Sequence, residues 1–199
     1  MYRKFHPEDD RLPPKELVDR LYTYVMSHSN GCELYRIFYY DCEPLDKRVH
    51  HPLTNRCINF GKTDIYRRRI EILNALKRKR KVALRRGILK EHGEWLIRPS
   101  KTKDLLQKKI KPEDLSENDI SLDLKQKGVD IKIGLDIASI AFKKLATQIV
   151  LISGDSDFVP AAKLARREGL DFILDPMLSP ISSNLFEHID GLKTFIKKR

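Results

Sequence analysis

Two carboxylates spaced two residues apart, Asp155 and Asp157, follow directly on the unbroken apolar run Ile149-Val150-Leu151-Ile152. An apolar run without alternation suits a strand buried on both faces of a parallel sheet. Ser153, Gly154, Asp155, Ser156 and Asp157 then place two acids, a glycine and two hydroxyls at that strand's carboxyl end, where open α/β sheets bind their ligands. Capping offers a plainer account of part of this. Asp157, ahead of Phe158, Val159 and Pro160 and with Gly169 about three turns on, reads as an N-cap, a proline-bearing first turn and a glycine stop. That account leaves Asp155 unexplained, since a charge at the edge of a buried strand needs a hydrogen bond, a counter-charge or a metal. If Asp130 converges with Asp155 and Asp157, the three form a hard-oxygen set suited to Mg²⁺ or Mn²⁺. Such an ion relieves the mutual repulsion of close carboxylates, activates water and clamps phosphate oxygens.

A polyanion is the expected partner for such acids, because the chain is basic where it counts. Its 199 residues hold 39 Lys and Arg against 28 Asp and Glu, a net charge of +11. Between Lys62 and Lys90 there are 12 basic and 2 acidic residues, so almost all the excess is local. Basic residues at a helix C-terminus are favourable against the dipole, and a charge run is ordinarily a solvated face. Five in succession, Lys77 to Lys81, flanked by Arg67, Arg68, Arg85 and Arg86, exceed that need and mark a nucleic-acid surface. No signal peptide and no apolar run of about 20 residues is present, so a soluble, cytoplasmic protein with no membrane partner is expected. Cys32, Cys42 and Cys57 lack metal or disulfide spacing and read as reduced thiols. The pair His50-His51 is expected in solvent.

The elements that must position these residues follow from periodicity and punctuation. Residues 1–13 are polar and aperiodic, a loose arm. Leu17, Val18, Leu21, Tyr24 and Val25 give one face of a helix from Pro14 to about Ser29. Cys32 to Tyr40 is rich in aromatic and branched residues and predicts a strand. Cys42 to Gly61 reads as a polar loop and Thr63 to Arg80 as a second helix. Lys81 to Leu89 and Trp95 to Ile97 suggest a small hairpin turning at His92-Gly93. Residues 100–123 hold few core formers and read as a charged insertion or lid without regular structure. Ile131, Leu135, Ala138, Phe142 and Leu145, at steps of four and three, predict a helix over about 130–144 packed on a sheet through that stripe. Asp136 lies off the stripe, four residues after Lys132, and reads as a surface pair. A short strand over 171–174 and a last helix over 182–188 complete an alternating strand and helix pattern, which is that of a parallel sheet in one domain over 1–199.

Lys127-Gly128-Val129-Asp130 with Asp136, and Ile152-Ser153-Gly154-Asp155-Ser156-Asp157-Phe158-Val159-Pro160 ahead of Gly169, resemble the NYN domains of the LabA type, relatives of the PIN and flap-endonuclease nucleases. Arg36 to Asp41 is similar to that family's second strand. The resemblance implies a PIN-like three-layer α/β sandwich with a central, mostly parallel sheet. It also implies a Mg²⁺- or Mn²⁺-dependent ribonuclease acting on single-stranded or flexible RNA. On that resemblance Asp130, Asp155 and Asp157 are catalytic, metal-facing acids, Asp136 is a further metal candidate, and Ser153 positions a phosphate or water. The amino-terminal segment departs from the pattern. Family members open with an apolar strand ending in an Asp-Gly-any-Asn motif, and nothing from Met1 to Pro14 supplies it. A chain without that strand leaves two neighbours with unpaired backbone groups, and a strand recruited from a neighbour would make a homodimer. The competing reading is a non-catalytic RNA-binding protein with an incomplete acidic site. A phosphatase of the haloacid dehalogenase kind is disfavoured, because its Asp-any-Asp pair follows an early strand and this one comes late.

Overall fold

A computed structural model describes residues 12–29 and 31–196, with no side-chain description for 90–93. The expected arm thus lies outside the described residues except for Leu12 and Pro13. The chain divides into two compact units. One comprises the residues up to Asp41, Glu71–Arg86 and the chain from Gly128 on; the other is Cys42–Ile70 with Gly87–Lys127.

The first unit carries the predicted alternation. Strand β6 (Gln148–Ile152) pairs in parallel with β7 (Asp171–Asp175), in a register that sets Ile149 beside Phe172 and Ile152 beside Asp175; β7 pairs in parallel with β8 (Gly191–Leu192). Parallel neighbours need a crossover, and α5 (Val159–Arg167) supplies it between β6 and β7. Helix α4 (Val129–Phe142) precedes β6 and packs on α5. Ile133, Ile137, Ile140 and Ala141 of α4 bury with Phe158, Ala162, Ala165 and Phe172, and Phe38 and Tyr40 of β1 (Ile37–Cys42) lean on the same cluster. A second cluster joins α1 (Pro14–Ser27) to α2 (Asp64–Lys77) through Leu17, Val18, Leu21, Ile72 and Leu76, with Tyr39 of β1 packed against it. Because successive side chains of a strand point to opposite faces, β1 has one helical layer on each side. The fold is therefore mixed α/β, with a mostly parallel sheet between helices.

The packed face of α4 is not the predicted one. Ile131, Leu135 and Phe142 stand 66%, 63% and 62% exposed, whereas Ile133, Ile137 and Ile140 are buried. This helix is apolar on two sides, and periodicity alone does not say which side meets the core. The expected hairpin at His92-Gly93 is also absent. β4 (Val82–Ile97) runs through as one strand and pairs antiparallel with β5 (Ile120–Lys127), with an irregular register between Glu91 and Trp95. A small hairpin does exist, formed by β2 (Arg48–His50) and β3 (Cys57–Asn59) inside the expected loop. The segment 100–123 is ordered as well, holding α3 (Pro99–Leu106), two single-turn 3₁₀ segments and the start of β5. His51 is buried rather than solvent-exposed. Its ring meets Trp95 edge to face at 4.9 Å, and Nδ1 accepts from the Leu53 amide at 3.3 Å.

The observed packing gives a direct stability test. Ile137→Ala, which opens a cavity between α4, α5 and β7, is expected to lower the unfolding free energy by about 3 kcal/mol in urea denaturation.

Candidate functional site

The acidic loop is shaped by its own hydrogen bonds. Ser153 Oγ accepts from the Asp155 amide at 3.2 Å, and Asp155 Oδ1 accepts from the Asp157 amide at 3.0 Å. Asp155 is thus the N-cap of a 3₁₀ turn, Ser156–Phe158, that leads into α5. The cap role expected of Asp157 belongs to Asp155, because the extra turn moves the helix entry two residues upstream. Phe158 and Val159 are buried and anchor the turn, while Asp155, Ser156 and Asp157 remain exposed. Among the described residues the Asp157 carboxylate has no hydrogen-bond or ion-pair partner. Gly154 allows a second loop close by: a Cβ there would lie 3.1 Å from that of Ser179.

That second loop hangs from Asp175, a residue that the sequence patterns leave without a role. Asp175 is fully buried at the end of β7. Its Oδ2 accepts from Tyr24 Oη and lies 2.9 Å from His28 Nε2, and its Oδ1 accepts from the Met177 amide at 2.8 Å. Burial opposes the charge, but the hydrogen bonds from His28, Tyr24 and Met177 outweigh it and hold the carboxyl below the usual Asp range. Met177 and Leu178 follow with φ of 49° and 61°, a left-handed conformation uncommon outside glycine. The clue in the sequence is an acid closing a second buried apolar run, Phe172-Ile173-Leu174-Asp175.

The remaining acids are held differently. Asp130 is exposed in the first turn of α4, after Gly128 at φ 79°. Asp136 does not pair with Lys132. It accepts from Arg85 Nε at 2.8 Å, Arg85 Nη2 at 3.0 Å and Tyr40 Oη at 2.8 Å, and Lys132 donates to the Arg86 carbonyl instead. Burial together with that bond to Asp136 raises the Tyr40 phenol well above its ordinary value. The structure thus brings Asp155 and Asp157 together. Among the described residues no three His, Cys, Asp or Glu side chains are grouped closely enough to hold a metal ion. As placed, the acids therefore do not form a metal centre by themselves.

The basic run is not one continuous free surface. Lys79 pairs with Asp19 and lies over the Tyr22 ring, Lys81 donates to the Leu34 carbonyl with Glu33 at 3.8 Å, and Lys77 donates to Asn74 at 3.4 Å. Arg67 pairs with Asp64, and Arg85 serves Asp136. Arg78 and Arg80 stand apart: among the described residues their guanidinium groups have no partner. Arg68 is half-buried on α2 and Arg86 half-buried on β4. Among the described residues no helix is long and apolar enough to cross a membrane.

An α/β unit with helices on both sides of a sheet, and exposed acids at the carboxyl end of its parallel strands, is the architecture of the PIN-like class. The comparison with known families agrees: the NYN domain model matches residues 62–187, more than half of the chain. The chain belongs to the NYN domain family, within the PIN-like nuclease superfamily. No curated protein and no solved structure matches it.

Stability measurements separate structural from chemical roles. Asp155→Ala removes a cap and should cost about 1 kcal/mol, whereas Asp157→Ala should stay within about 0.5 kcal/mol. Asp175→Ala leaves the buried His28 ring without its carboxylate partner and removes one partner of the half-buried Tyr24 hydroxyl, and should cost about 3 kcal/mol in urea at neutral pH. Because the folded carboxyl sits below its unfolded value, its contribution is complete above the ordinary Asp range and lost as pH falls through the folded value. The gap between wild type and Asp175→Ala should therefore narrow in acid denaturation curves.

Proposed function

We propose that this chain is an endoribonuclease of the LabA-like type that hydrolyses phosphodiesters in single-stranded or flexible RNA in the cytoplasm, with Mg²⁺ or Mn²⁺ as cofactor. The observation that carries the reading is the pair Asp155 and Asp157, exposed at the carboxyl end of β6 within the family match. Asp130 is the third acid of the proposed set, Asp136 orients Arg85, and Ser153 fixes the loop. Arg78 and Arg80, with Arg86 of the same unit, are the proposed first contacts for RNA phosphates.

The set is short of a metal centre, and the proposed completion is an additional apolar strand bearing a terminal acid, the family's first strand. The division of the strands supports such a gap. β1 is an end strand of the β1-β4-β5 sheet and β6 an end strand of the β6-β7-β8 sheet, so each borders a single strand among the described residues. An apolar cavity is lined by Ile37 and Tyr39 of β1, Ile152 of β6, and residues of α1 and α2. An unpaired edge costs backbone hydrogen bonds that a further strand would restore.

A second reading, a non-catalytic RNA-binding protein, is favoured by the lack of any three-carboxylate group among the described residues. One experiment separates the two. Cleavage of a labelled single-stranded RNA is measured with Mn²⁺, and binding is measured in EDTA. The nuclease reading expects cleavage that falls about 100-fold in both Asp155→Asn and Asp157→Asn with binding unchanged. Binding without metal-dependent cleavage, in a chain that includes the additional strand, would establish the binder. Replacing Arg78 and Arg80 by Gln should make the slope of log affinity against log salt shallower by about 0.7 for each phosphate no longer neutralised.

A further inference from the structure

We propose that the turn closing α3, from Lys103 to Lys111 in the second unit, holds the phosphate backbone of single-stranded RNA, as a contact separate from the arginines of the first unit; the choice of RNA rests on the function proposed above. From Arg98 to Lys111 the chain carries six basic residues and one acid, Asp104. From Pro112 to Asp123 it carries five acids and no base. Opposite charges so close in the chain attract, yet the fold keeps these two blocks from neutralising one another.

Four of the five acids are engaged elsewhere. Asp114 Oδ2 accepts from the Lys111 amide at 2.8 Å, and Asp119 Oδ2 accepts from the Ser116 amide at 2.9 Å and its hydroxyl at 2.7 Å. Glu117 accepts from Thr54 and pairs with Arg56 at 2.6 Å, and Asp123 pairs with Lys125 at 3.1 Å. Glu113 and Asp104 make no ion pair among the described residues. The bonds from Ser116 chiefly hold the Asp119 carboxyl below its ordinary range, with Lys101 and Arg98 near enough to add to the effect. Lys103, Lys108, Lys109 and Lys111 are exposed, and among the described residues their ammonium groups have no hydrogen-bond or ion-pair partner. The run Lys77 to Lys81 differs, since Lys77, Lys79 and Lys81 are already bound to groups of the fold.

Backbone bonds hold the four lysines in one small region. The Lys108 amide donates to the Leu105 carbonyl and the Lys109 amide to that of Asp104, both at 2.9 Å, with Lys108 left-handed at φ 56°. That pair of bonds is a Schellman stop, a place where glycine is usual. Lys111 then opens a 3₁₀ turn, its carbonyl accepting from the Asp114 amide at 3.0 Å. With the backbone fixed, only side-chain rotamers need ordering when a ligand arrives. Lysine point charges neutralise phosphates without reading sequence. A membrane is also a polyanion, but lying in its interface takes an apolar face. Leu106, 81% exposed, is the one large apolar side chain left open between Arg98 and Lys111.

The test is binding of a labelled polyuridylate strand to the whole chain in EDTA, measured across salt concentrations. Replacing Lys103, Lys108, Lys109 and Lys111 together by Gln should make the slope of log affinity against log salt shallower by about 2.8, about 0.7 for each of four phosphates. Lys108→Gly alone should make it shallower by about 0.7 while melting no lower than wild type, because glycine suits the left-handed position; loss of binding is thereby separated from loss of fold. A wild-type chain that does not bind the strand, or an unchanged slope in the fourfold variant, would overturn the proposal. So would an equal loss when the exposed Lys15, Lys143, Lys144 and Lys163 of the first unit are replaced instead, since that traces the effect to net charge. Lysine-dependent binding to phosphatidylserine vesicles, with RNA binding untouched, would assign the surface to a membrane and overturn it likewise. Because binding is read without metal, the nuclease reading stands or falls separately. Binding through these lysines without Mn²⁺-dependent cleavage keeps the inference and ends that reading, whereas cleavage with an unchanged slope does the reverse.

Discussion

The buried carboxylate of Asp175 is the interaction on which the arrangement of the site depends. Apolar clusters hold α1, α4 and α5 near the sheet, but contacts of that kind are non-directional and tolerate small shifts. Asp175 is directional. Its two oxygens take hydrogen bonds from Tyr24, next to His28 of the α1 C-cap, and from the Met177 amide that opens the following loop. The ladder sets Asp175 beside Ile152, so the carboxylate lies at the level where both parallel strands end. The loop after Met177 then abuts Gly154, beside the acidic turn that its own hydrogen bonds shape. An uncompensated charge here would cost several kcal/mol, which makes the site's frame and the stability of the unit one problem.

How much of this is legible in the sequence follows from which forces act locally. The apolar runs of β6 and β7 are readable because burial on both faces leaves no alternation, and α1, α2 and α5 because caps, prolines and glycine stops act within a few residues. The sequence pattern puts the cap on the wrong acid, since Asp155 and Asp157 are both suited to it and a 3₁₀ turn decides between them. The packed face of α4 is misjudged for a related reason. Two stripes share one period, and only tertiary contact with Phe158 and Phe172 selects Ile133, Ile137 and Ile140.

The segment 100–123 shows the opposite limit. Its composition holds few core formers, which suggests a structureless insertion. Order there comes from polar local bonds instead: the Lys111 amide donates to Asp114 at 2.8 Å, the Ser116 amide to Asp119 at 2.9 Å, and β5 joins the long ladder of β4. Such reciprocal caps satisfy backbone donors without a core. The tertiary partners of Asp175 and Asp136 are beyond reach of local pattern, because His28 and Arg85 lie 147 and 51 residues away in the chain.

Charge counting overstates the basic surface for a comparable physical reason. The run Lys77 to Lys81 begins where α2 ends and passes through Lys81 at φ 61° before β4. Alternate members turn inward as the chain bends: Lys79 to Asp19, Lys81 to the Leu34 carbonyl. Arg78 and Arg80 are left without such partners among the described residues. A cation already neutralised by a group of the fold displaces fewer of the counterions condensed on a polyanion, so in the proposed RNA binding the salt dependence that this run carries follows the guanidiniums of Arg78 and Arg80 rather than the net charge of +11. Arginine is suited to that place. Its planar fork takes two phosphate oxygens at once, while lysine serves as the point charge that holds the turn.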